Sequence, residues 1–182
     1  MIKLLLVICI LPSSFGFGQY SSQEFLLKQL HDDSVFLVKN KLDESKLRLA
    51  ILAEINVQRK LNNLTTLTLA SNEENNKASV WGDTLIARGV LGHDMDYLTD
   101  YKNNKTKGEI TIAFFVNPQD YSATTNIYTY LAKKLVDIWM NSPKHRAAIL
   151  KTDISSAAVG NAYEKPSARE YGISCRSIVR FF

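Results

Sequence analysis

Three short segments carry the residue types that could do chemistry. His93 closes Leu91-Gly92-His93, with Asp94 directly after it. Glu109 follows Gly108 at the start of an apolar stretch containing Ile110, Ile112, Phe114 and Phe115. His145 lies in Trp139-Met140-Asn141-Ser142-Pro143-Lys144-His145-Arg146. An imidazole can ligate a metal or carry a proton near neutral pH. A carboxylate after glycine can act as a ligand or base, or simply sit in solvent or accept backbone N–H bonds. No spacing among the three decides between these roles. A His-Glu-x-x-His zinc motif, a Gly-x-Ser-x-Gly elbow, a phosphate loop and paired cysteines are all missing from the sequence. The remaining histidine, His31, stands apart near the N-terminus.

The elements that must position these residues can be read from periodicity. Leu47, Ala50, Ile51 and Ile55 fall on one helical face, and Asn62-Asn63 ends that helix. Leu64, Leu67 and Leu69 read as an extended connection. Ser71 with Glu74 forms a capping box, opening a helix with Ala78, Trp81, Gly82 and Leu85 on one face and Gly89 as its stop. His93 thus comes just after the second helix. Asp96 to Lys107 reads as a polar loop leading to Glu109. From about Thr124, Tyr128, Leu131, Ala132, Leu135, Val136 and Trp139 make the clearest amphipathic helix. Ser142 is a suitable N-cap, and Pro143 suits the first position of a second, short helix bearing His145. Residues 157–163 and 171–180 read as a terminal antiparallel hairpin, in which Tyr171, Ile173, Cys175 and Val179 alternate with Gly172, Ser174, Arg176 and Arg180.

The N-terminus is expected to be a signal peptide over 1–18. Lys3 precedes the apolar run Leu4–Leu11, and the small residues Gly16 and Gly18 stand two apart. The run is too short to span a bilayer, so the protein is expected to be exported, extracellular or periplasmic, and not integral to a membrane. Residues 19–43 form an N-terminal extension, in which Ser21 and Glu24 suggest a cap for a short helix with Phe25, Leu26, Leu27 and Leu30. One domain follows over 44–182. Cys9 lies in the leader, so Cys175 is left without an intramolecular disulfide partner. It is either a free reactive thiol or a buried residue on a strand. The net charge of +4 is spread among acids with no basic run, which disfavours nucleic acid as a partner.

The order of the segments resembles the CAP superfamily, the SCP domains of cysteine-rich secretory, antigen five and pathogenesis-related proteins, in its short bacterial type. The resemblance rests on Asn56-Val57-Gln58-Arg59, Leu64–Leu69, His93, Gly108-Glu109, the block Trp139–Leu150, and Val159-Gly160. It implies an α-β-α sandwich with a central antiparallel sheet and a cleft gathering His93, Glu109 and His145. His93 and His145 are then the implied metal ligands, for Zn2+ or another divalent cation. Two imidazoles and a carboxylate suit zinc with one position left for water, and such a water could be activated for hydrolysis. The same residues could instead hydrogen-bond one another and hold the loop 96–107. The preferred reading is a binding module for a small apolar ligand, an envelope component or a protein. The alternative is a zinc-assisted peptidase or esterase, and no catalytic residue is assigned. Phe114, Phe115 and Met140 are either ligand-facing or core. Two positions depart from the family pattern: Ile110 replaces an expected Asn, and Ser142 stands where larger members have a second Glu.

Overall fold

The computed structural model describes residues 42–99, 106–116, 126–164 and 173–182. The expected leader 1–18 and the extension up to residue 41, with His31 and the Ser21–Glu24 cap, lie outside the described residues, so neither expectation is tested. The elements run α1 (Glu44–Leu61), β1 (Thr68–Leu69), α2 (Asn72–Arg88), α3 (Met95–Thr99), β2 (Gly108–Val116), α4 (Ile127–Asn141), α5 (Pro143–Ile149), β3 (Ser156–Tyr163) and β4 (Ile173–Phe181). The sheet order is β1-β3-β4-β2. β4 pairs antiparallel with both β3 and β2, as expected, but the two-residue β1 joins β3 in parallel, so the sheet is mixed at one edge.

Side-chain alternation divides the sheet into two buried faces. Ile110, Ile112, Phe114, Ala157, Val159, Cys175, Val179 and Phe181 pack against Leu47, Ile51 and Ile55 of α1 and Leu131, Leu135 and Trp139 of α4. Each fully buried aliphatic side chain there contributes about 1.5–3 kcal/mol. On the other face α2 lies on β3 and β4 through Ala78, Gly82 and Leu85. Helices on both faces of the sheet make the α-β-α sandwich. Among the described residues no helix is long and apolar enough to cross a membrane.

Local chemistry explains the helix boundaries. Asp43 caps α1 by accepting the Lys46 N–H, and Gly89 ends α2 at φ 64, a left-handed conformation that glycine adopts without strain. Three expectations need correction. The Ser71 side chain does cap Glu74 N–H, but the Glu74 carboxylate turns to Lys77 and Tyr97, leaving the capping box one-sided. The polar stretch 96–107 does not begin as loop: Asp94 Oδ1 accepts the Tyr97 N–H at 3.1 Å and starts α3. Ser142 stands at the N-cap of α5 without a side-chain cap bond, and Pro143 begins that helix. Cys175 is a fully buried thiol, which burial makes much harder to ionise than an exposed one. That is the unreactive alternative.

Asn56 and Arg59 stand one turn apart on α1 and fasten the chain rather than react. Asn56 donates to Leu67 O at 2.9 Å and accepts Leu67 N–H at 2.8 Å, imitating a strand pair. The guanidinium of Arg59, wholly buried, donates to Thr65 O at 2.8 Å, Ile149 O at 2.7 Å and Lys151 O at 2.8 Å. It thereby ties α1 to the end of the helix that carries His145. Arg59→Lys keeps the charge but not the planar fork, and a loss of about 1–2 kcal/mol in urea unfolding is expected. A variant as stable as the parent would show that the carbonyls find other donors.

Candidate functional site

β2 and β4 are paired in register so that Glu109 stands directly opposite Arg180, both toward the α2 face. Both side chains are fully buried, and Arg180 Nε donates to Glu109 Oε2 at 2.7 Å. Arg180 Nη2 donates to Asp94 Oδ2 at 2.8 Å. The other oxygen of Glu109, Oε1, meets His93 Nδ1 at 3.1 Å and accepts the Asp94 N–H at 3.2 Å. Tyr97 lays its ring over the Arg180 guanidinium at 3.8 Å and donates its hydroxyl to Glu74. Burial, and the bond to Glu74, raise the Tyr97 hydroxyl above its ordinary pKa. One continuous network therefore runs from α2 through α3 to the sheet and ends at His93.

This arrangement sets the chemistry of each group. A carboxylate paired with arginine only accepts, so His93 donates through Nδ1–H, and in the neutral tautomer with that proton Nε2 carries the lone pair. The His93 side chain is 45% exposed, leaving that edge reachable. Glu109 has both oxygens committed and no exposed surface, which makes it a positioning group. Such a carboxylate behind a histidine fixes the orientation of the ring.

His145 arrives from another direction. α4 breaks at Ser142-Pro143, and α5 then packs alongside β2, the edge strand carrying Glu109. Burial, and then the proximity of His93, hold the half-buried His145 imidazole below its ordinary value of 6.5. The unfolded chain protonates this residue near its ordinary value and the folded chain only at lower pH. Stability from the neutral ring is thus complete above 6.5 and is lost as pH falls through the folded value. Metal-free His145→Gln is expected to lose less melting temperature than the parent between about pH 7.5 and about pH 5.5. Equal losses in the two proteins would remove His145 as the source.

The three residues singled out from sequence therefore stand as follows: His93 and Glu109 in contact, His145 near enough for the charge of His93 to act on it. Among the described residues, no three His, Cys, Asp or Glu side chains converge to hold a metal ion. Phe114 and Met140 pack in the core, whereas Phe115 is exposed on the opposite face of β2. Ile110 also points into the core, away from Glu109. Sequence reasoning missed Arg180, Asp94 and Tyr97. Arg180 occupied a polar place in an alternating strand, and only the covering helix and central strand position turn such a place into a buried one.

The model of the cysteine-rich secretory protein family, CAP, matches residues 52–176. Among solved structures, an outer surface protein from Borrelia burgdorferi aligns with TM-score 0.52 and 17% identity, over 77% of this chain and 95% of that one. An extracellular protein containing an SCP domain from Bacillus anthracis aligns with TM-score 0.49 and 15% identity, over 75% of this chain and 41% of that one. No curated protein matches by sequence.

Proposed function

This chain belongs to the CAP family, and from that premise we propose that it is an exported binding domain whose cleft between His93 and His145 takes a small ligand, an envelope component or a protein partner. The carrying observation is the full commitment of Glu109 to Arg180, Asp94 and His93. A hydrolase built on this cleft needs a base free to take a proton, and Glu109 is not free to serve as one. Export rests on the charged, apolar and small-residue order of Met1–Gly18.

The same geometry suits a weak divalent site. His93 offers Nε2 while Glu109 holds Nδ1, and His145 favours the neutral form that ligation requires. Two imidazoles without a third ligating side chain make an open site of the kind that keeps water, unlike a closed structural one. When bound, the ion supplies a Lewis-acid contact for a ligand oxygen. The chain's own residues orient the imidazoles and shield the buried carboxylate.

Calorimetric zinc titration at about pH 7.5 tests this reading. Uptake of one ion is expected, weakened at least about tenfold in His93→Ala and in His145→Ala. No turnover is expected on peptide and ester panels. Absence of uptake by the parent protein removes the metal from the proposal, and turnover dependent on His93 replaces binding with hydrolysis.

A further inference from the structure

A pocket of ≈ 390 Å³ opens between α2 and the segment Asp94–Tyr97, with Arg180 on its wall. It adjoins the cleft network, but His93, Glu109 and His145 do not line it. Its volume is that of a small-molecule site. The helix residues facing it, among them Asn76, Lys77, Val80, Trp81 and Thr84, recur at helical spacing along one stripe of α2.

The charges around this pocket are already matched. Lys77 Nζ lies 2.8 Å from Glu73 and 3.0 Å from Glu74, and Arg180 is divided between Glu109 and Asp94. An entering ion would lose its hydration and find no uncompensated partner. The open groups are of another kind. The Asn76 side chain is exposed at the pocket wall, and Arg180 Nη1 is buried without a partner among the described residues. Glu73 and Asp94 keep spare acceptor capacity. Beside these polar groups, Val80 is 63% exposed, and the half-buried Trp81 ring is held by its Nε1–H bond to Gly92 O at 3.3 Å. A purely apolar guest would strip water from the carboxylates and amide without replacing it.

We propose that this pocket binds a neutral saccharide unit, its C–H face resting on Trp81 and Val80 and its hydroxyls shared among Asn76, Asp94 and Glu73. A polyhydroxylated ring combines an apolar face with paired donors and acceptors at its edge, which is the pattern the pocket presents. The site is separate from the imidazole cleft and requires no metal, so it stands or falls independently of the reading above.

The test uses the full mature chain with a chelator present, titrated with the N-acetylglucosamine hexamer and with maltohexaose. Trp139 is fully buried in the core, so a ligand-induced change in tryptophan fluorescence reports on Trp81. Saturable binding of at least one sugar by fluorescence and calorimetry is expected. Trp81→Leu and Asn76→Ala are each expected to weaken it about tenfold or more. No saturable signal from either sugar up to about 10 mM overturns the proposal. So does undiminished binding by both pocket variants, as judged by calorimetry on protein whose melting temperature is unchanged. Binding of cyclohexanol with no binding of either sugar likewise overturns it.

Discussion

Arg180→Met is expected to destabilise the protein by about 3–5 kcal/mol, because it leaves the buried Glu109 carboxylate without its cation. Asp94 loses its ion pair and Tyr97 the guanidinium beneath its ring in the same step. The cost is mainly the stranded charge rather than the value of the ion pair. Removing that charge as well, in Arg180→Met with Glu109→Leu, is therefore expected to recover about 2 kcal/mol over the single variant. Glu109→Gln alone is expected to cost less, since Arg180 keeps Asp94. Urea unfolding of the four proteins measures each difference. An Arg180→Met protein within about 1 kcal/mol of the parent would mean that water reaches Glu109.

Gly160→Ala is expected to cost at least about 3 kcal/mol or to prevent folding. A Cβ at this position would lie 2.2 Å from Ser79 N and 2.3 Å from the Ala78 carbonyl carbon, both backbone atoms of α2. The helix would have to retreat by roughly 1 Å to restore ordinary contact. That retreat would also pull Asn75 from Val159, whose N–H donates to Asn75 Oδ1 at 2.9 Å. This bond and that from Arg48 Nε to Val159 O at 2.7 Å finish the edge of β3 beyond the short β1. Gly92→Ala is the control: nothing lies within 4 Å of its added Cβ, and a change within about 0.5 kcal/mol is expected. Thermal and urea melts compare the two. Equal stability of the two variants would show that α2 can shift on the sheet without cost.

Much of the site was legible because its residues lie beside strong local signals. His93 follows a glycine-terminated helix, and His145 follows a proline-initiated one. The Trp139 block drew attention through its match to the family pattern, and the structure gives that pattern a packing reason: Trp139 is wholly buried, and Ile149 O receives Arg59. What joined the groups was less legible. Arg180 is 71 positions from Glu109 and 86 from Asp94, and no local periodicity connects such distances. Ser174 and Ser177 are buried too, because β4 lies between two strands and under helices on both faces.

By itself the sequence determined where α1 and α2 stop and where α5 begins, since a left-handed glycine, asparagines and a helix-starting proline act within a few residues. It also determined that the last two long strands pair as a hairpin, because their alternation and connection are local. Only the tertiary structure decided that Glu109 is a buried partner of arginine and not an open ligand. That outcome depends on strand register, where a slip of one residue would turn both side chains to the opposite face.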